Sequence, residues 1–289
     1  MRELESIAED NGMRILAKTR LCDVVQKDGT YLSTREFDFY TRSHFDFVIA
    51  DNDWRPLMVV EYDGPVHEED EKQQERDRIK NELCRRASLG ILRINDRYVT
   101  KLANGMTMLR WIVEVTELEK AFYEAQENGS VPLDEPFDPS FLFISANGQN
   151  VSHPYWLSRS ATQSFHTFFN TLERGTPKGW SSIQGRDEAG NGFRLSCLLF
   201  GEQMLWVRTA IRKQDLSFPH YDLLDQLDTC ELGARLKKFR EGRVQAGTRD
   251  QFRSVFQRFC DKYKATPSHY MGAFPFETSW NFADGWRFK

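Results

Sequence analysis

An α/β domain followed by a second, α+β domain is the architecture this sequence predicts, and three observations lead to it. Two apolar runs, Phe45 to Ala50 and Leu57 to Asp63, are followed by a helical pattern and a third apolar run, Ile91 to Asn95. A Pro-rich acidic stretch, Asn128 to Ser140, then interrupts the periodic segments as a linker would. Finally, the composition changes sides: residues 1–140 hold 19 Lys and Arg against 29 Asp and Glu, whereas residues 141–289 hold 20 against 14 and 25 of the 38 aromatics. A chain of 289 residues is long enough for two domains with their own cores. The predicted organisation is therefore a domain over 1–127, a linker over 128–140 and a basic, aromatic-rich domain over 141–289.

Residues Leu57 to Asp63 are apolar on both faces until the carboxylates begin, the pattern of a strand in the middle of a sheet. Asn52, Asp53 and Pro56 mark a turn back to the preceding strand, so a hairpin brings Asp46 near Glu61. Side chains two apart on a strand share a face, which puts Glu61 and Asp63 together and Tyr62 on the other side. After Gly64 and Pro65 the period becomes helical, with Ile79, Leu83, Cys84 and Ala87 on one stripe and acids from Glu68 to Glu71 at the start. Ser88 to Gly90 ends that helix. Asp38, in the alternating run Phe37 to Tyr40, is expected on an exposed strand face. A helix from about Thr107 to Gln126 carries the stripe Trp111, Ile112, Val115, Leu118 and Phe122. In the second half, Phe193 to Phe200 and Met204 to Ile211 read as a hairpin through Gly201 and Glu202, and Tyr221 to Arg240 and Arg249 to Tyr263 as helices.

The acids carry the chemistry. Asp46 interrupts one apolar run and Glu61 and Asp63 end another, and desolvating an anion costs several kcal/mol unless a cation compensates. Carboxylates converging from two strands are most simply the two halves of a divalent-metal site. Plainer roles stand beside that one: a structural ion pair for Asp46 and Glu61, a turn residue for Asp63, a loop histidine for His67, a snorkelling surface lysine for Lys80. Gln73 and Glu5 read as surface residues.

An acid on one strand, an acid and a second polar group at the end of the next, then an amphipathic helix and a strand: this order resembles the PD-(D/E)XK nuclease superfamily. The words Glu61-Tyr62-Asp63-Gly64 with His67, Leu16 to Leu21, His44 to Val48 and Arg76 to Lys80 are similar to the branch around very-short-patch repair endonucleases and related uncharacterised bacterial domains, over roughly residues 1–115. The resemblance implies a restriction-endonuclease-like mixed sheet flanked by helices. It also implies Mg²⁺ on Asp46, Glu61, Asp63 and the carbonyl of Tyr62, with Mn²⁺ expected to substitute, and hydrolysis of DNA, RNA remaining open as substrate. DNA repair or defence against foreign DNA is the setting it implies. Asp63 stands where the family usually has lysine, and Lys80, on the next helix, is the candidate substitute; His67 is a further candidate for orienting water or phosphate. The missing lysine keeps a second reading open, a catalytically silent nuclease fold that binds nucleic acid or serves assembly.

An acidic domain needs help to hold a polyanion. The run containing Arg235, Lys237, Lys238, Arg240 and Arg243 is the candidate nucleic-acid contact, with helix-end charge complementarity as its plainer role. A second copy or another protein is a further expected partner for the C-terminal domain. No apolar run approaches about 18 residues and Met1 to Asp10 is acidic, so no membrane association and a cytoplasmic location are expected. Five cysteines, an odd number without CxxC spacing, argue against both a disulfide framework and a zinc ribbon.

Overall fold

The computed structural model describes residues 2–25, 32–63, 71–138, 143–145, 152–154, 157–214 and 220–267. The chain divides into two compact units, one made of Met1–Lys101, Met106–Phe137 and Gln214–Ser217, the other of Leu102–Gly105, Asp138–Lys213 and Phe218–Lys289. Both mix helices and strands. Among the described residues no helix is long and apolar enough to cross a membrane, and all five cysteines are free thiols.

The first unit runs α1 (Arg2–Asn11), β1 (Arg14–Arg20), α2 (Leu21–Val24), α3 (Thr34–Arg42), β2 (His44–Ala50), β3 (Pro56–Tyr62), α4 (Glu71–Arg86), β4 (Gly90–Ile94), α5 (Asp96–Val99) and α6 (Met108–Glu127). Its sheet has the order β1-β2-β3-β4. The first three strands are antiparallel and β4 joins β3 in parallel, the crossover that α4 makes available. The turn between β2 and β3 is held by Asp51, whose Oδ1 accepts from the N–H groups of Asp53 and Arg55 at 2.9 and 2.8 Å. Ile79, Leu83 and Cys84 of α4 pack with Phe45, Val48, Val59 and Ile91 in one cluster. Ala87 lies beyond the helix end and is exposed, and Leu89 fills that part of the cluster instead.

The segment Phe37 to Tyr40 is helical, not extended. Ser33 and Glu36 form a reciprocal capping box that opens α3, and the burial of Tyr40 against Leu21 and Val25 fixes the helix face, with its hydroxyl donating to the carbonyl of Val25 at 2.7 Å. Asp38 is accordingly an exposed helix residue. The stretch after α6 folds back on it: Gln126 Nε2 donates to the carbonyls of Pro132 and Glu135 at 2.6 and 2.7 Å, and Phe137 meets Phe122 edge-on at 5.6 Å.

The second unit contains β5 (Phe143–Ser145) paired with β6 (Ser152–Pro154), α7 (Arg159–Thr171), β7 (Lys178–Arg186), β8 (Gly192–Phe200), β9 (Gln203–Ile211), α8 (His220–Arg240), β10 (Gly247–Thr248), α9 (Arg249–Lys262) and β11 (Lys264–Pro267). An antiparallel sheet of order β10-β9-β8-β7-β11 carries α7 and α8 on one face and α9 on the other. Phe165, Trp180, Phe200 and Leu232 fill the first interface and Phe252, Phe256 and Phe259 the second, so these aromatics are core. Gly233 of α8 allows the closest approach to α7: a Cβ there would lie 2.4 Å from the Cβ of Ala161. Gly233→Ala is therefore expected to destabilise the protein by about 1–3 kcal/mol through overpacking, despite alanine's better helix propensity, and a denaturant titration would register it.

One end of the α8 interface is polar. Arg194 donates to Ser182 Oγ at 2.7 Å and pairs with Asp225 at 2.6 Å, while Ser196 donates to the carboxylate of Asp228. Burial pushes the Asp228 carboxyl up to about 7, against the pull of Arg194, Ser196 and Thr209. Between its ordinary value near 4 and about 7, the native state thus holds a proton that the unfolded state has released. Stability contributed by that proton is present below this window and is lost as pH rises through it. Asp228→Asn should lose less stability than wild type between pH 5 and pH 8 in parallel denaturation curves; identical losses would refute the assignment.

Candidate active site

The hairpin of β2 and β3 pairs Phe47 with Val60, and one step further Asp46 and Glu61 meet. Their backbones bind them crosswise: the Asp46 N–H donates to Glu61 Oε1 at 3.3 Å, and the Tyr62 N–H donates to Asp46 Oδ2 at 2.9 Å. Each carboxylate also has its own lysine. Lys80 reaches from α4 to place Nζ 2.8 Å from Glu61 Oε2 and 3.0 Å from the carbonyl of His44, with the ring of Phe45 beneath it at 5.5 Å. Lys18 reaches from β1 to Asp46 Oδ1 at 2.5 Å.

The two pairs sit in different surroundings. The Lys80 and Glu61 side chains are 11% and 9% exposed, those of Lys18 and Asp46 74% and 24%. Burial raises the Glu61 carboxyl above its ordinary range, opposed by Lys80 and reinforced by the charge of Asp46. Burial acts the same way on Asp46, but the hydrogen bonds from Lys18 and Tyr62 and the charges of both lysines outweigh it and hold that carboxyl low. Burial thus raises one acid while hydrogen bonds and positive charge hold its neighbour low, a separation typical of functional carboxylate pairs.

Asp63 does not join these two. Its Oδ1 lies 3.6 Å from the guanidinium of Arg93, a buried residue of β4 that also pairs with Asp77 at 3.1 Å and donates to Asn81 at 3.0 Å. Gln214 clamps the Arg93 backbone, accepting from its N–H at 3.1 Å and donating to its carbonyl at 2.9 Å. Tyr62 is the last residue of β3 and contributes its N–H to Asp46. His67 and the side chain of Gln73 lie outside the described residues. Glu5 is an exposed acid on α1. The structure thus gathers Asp46, Glu61 and Lys80, and adds Lys18 and Arg93, which pattern reading passed over. Arg93 had a signal: it interrupts the apolar run Ile91 to Ile94 as Asp46 interrupts its own.

Among the described residues no group of three or more His, Cys, Asp or Glu side chains comes together to cage a metal. Two carboxylates on neighbouring strands nevertheless suit Mg²⁺, which binds through one or two carboxylates and keeps waters. Both already draw a cation, an ammonium on Oδ1 of Asp46 and another on Oε2 of Glu61, so the donor chemistry fits a divalent ion.

Residues 1–106 match the model of a family described as a protein of unknown function, DUF2726. That span contains Lys18, Asp46, Glu61, Asp63, Lys80 and Arg93, and excludes Gln214. No curated protein and no solved structure matches the chain.

In the second unit, Lys237, Lys238, Arg240 and Arg243 are exposed at and beyond the C-terminal turn of α8, Arg243 pairing with Glu241 at 3.2 Å. Arg235 stands apart from them. It is half-buried, with its guanidinium 5.8 Å from the ring centroid of Trp206.

Proposed function

We propose that the first unit is a Mg²⁺-dependent nuclease of restriction-endonuclease-like, PD-(D/E)XK type that hydrolyses phosphodiester bonds of DNA, in DNA repair or in defence against foreign DNA. The observation that carries this is the contact of Lys80 with Glu61 beside Asp46: a lysine from α4 brings a positive charge to the carboxylate pair, which supports it as the substitute for the missing strand lysine. A divalent ion held by Asp46 and Glu61 would lower the pKa of a bound water and offset charge on the phosphate. Tyr62 orients Asp46 through its N–H, and His44 fixes Lys80 through its carbonyl. The Lys80 ammonium would add a fixed positive charge beside that ion, of the kind that offsets charge developing on a phosphoryl group.

One observation favours the second reading, a silent nuclease fold that binds nucleic acid. All four oxygens of Asp46 and Glu61 already accept a hydrogen bond within the chain. Incubating purified protein with plasmid, linear and single-stranded DNA, and with RNA, in Mg²⁺, Mn²⁺ and EDTA separates the two. Cleavage that EDTA abolishes supports the nuclease; DNA bound but left intact in both metals supports the binding module.

Affinity for nucleic acid is assigned to the exposed cations at and beyond the C-terminal end of α8. Replacing Lys237, Lys238, Arg240 and Arg243 by Ala should weaken DNA binding and flatten its salt dependence, by about 0.9 in log–log slope for each phosphate that the variant no longer neutralises. Sequence preference should change little. Equal slopes for wild type and variant would return the run to helix-end complementarity.

A further inference from the structure

Lys18 has no part in that chemistry, yet it pairs with Asp46 at 2.5 Å. Its backbone is unusual for a strand. At φ 51° it lies in the left-handed region, which residues with a side chain adopt at a cost and keep where the surroundings demand it. In the β1–β2 register Ala17 faces Phe47 and Thr19 faces Phe45, so this position lies across from Asp46.

The two lysines of the site are held differently. Lys80 is buried and bound to two acceptors, Glu61 Oε2 and the carbonyl of His44. Lys18 is 74% exposed and bound to one carboxylate oxygen. An exposed lysine on a flexible stem gains little from such a pair and is readily released. A divalent ion arriving at Asp46 needs the oxygen that Lys18 occupies and is repelled by its charge.

We infer that Lys18 is a displaceable counter-cation that occupies Asp46 in the cation-free protein and competes with the divalent ion for it. The inference rests on Asp46 and Glu61 being the cation site. Lys18 thereby sets the metal concentration at which the site fills, while Lys80, buried and held by Glu61 and the His44 carbonyl, stays in place.

Mn²⁺ binding to the full chain, followed by the free Mn²⁺ resonance without nucleic acid, tests this on wild type, Lys18→Met and Asp46→Asn. Lys18→Met should bind Mn²⁺ at least about tenfold more tightly than wild type, and Asp46→Asn should lose the site. Lys18→Gly, which suits the positive φ, should show the same gain if Lys18→Met does not fold. Unchanged or weaker binding by the Lys18 variants, with binding still lost in Asp46→Asn, would overturn the role of Lys18 and leave the cation site standing. No Mn²⁺ uptake by wild type or by either Lys18 variant would overturn both.

Discussion

Asp46→Ala protein is expected to remain folded and to show no metal-dependent cleavage. The side chain it loses is paired with a lysine that is 74% exposed, so the orphaned ammonium returns to water at little cost. Glu61→Ala should behave differently, because its partner Lys80 is buried. An ammonium left without its carboxylate at such a depth destabilises by about 3–5 kcal/mol. Removing either acid relieves no like-charge repulsion, because in the fold each is paired with its own lysine. Melting curves and a plasmid-nicking assay on the two variants read both effects. A folded Asp46→Ala protein that cuts at the wild-type rate would end the metal assignment.

Lys80→Ala should be the second severe lesion, in stability and in rate together. It leaves Glu61 buried beside Asp46 without a counter-charge, which pushes a carboxyl already raised by burial further up. The cost in stability is again about 3–5 kcal/mol. Losing a positioned cation from the reaction centre should lower the rate by about 10² or more. The double variant Glu61→Gln, Lys80→Met separates the roles, because two neutral groups in place of a buried pair should restore most of the stability and none of the cleavage. Wild-type cleavage by folded Lys80→Ala protein would make the lysine a purely structural partner of Glu61.

The core of the first unit was readable because its signals are strong and local. Apolar runs broken by acids, the turn at Asn52, Asp53 and Pro56 and the α4 stripe fall where β2, β3, β4 and α4 are observed. Four alternating residues, Phe37 to Tyr40, are too few to separate a period of 2 from one of 3.6, and the capping box at Ser33 and Glu36 was the better guide. In the second unit the hairpin of β8 and β9 was evident, whereas β7 was missed: Ser181 and Ser182 sit amid its apolar residues, buried only because β8 and Arg194 receive them. The adjacency of Asp46 and Glu61 follows from a hairpin. The positions of Lys18, Arg93 and Gln214 follow from strand register and from contacts across as many as 121 residues, which no local pattern encodes.

The arrangement of Lys18, Asp46, Glu61 and Lys80 is most directly tested by locating Mn²⁺ through its anomalous scattering in crystals of the full chain. A cation at Asp46 and Glu61, with Lys18 withdrawn and Lys80 still on Glu61, is the expected result. A cation bound elsewhere, with both carboxylates still on their lysines in protein that cleaves DNA in the same buffer, would contradict it.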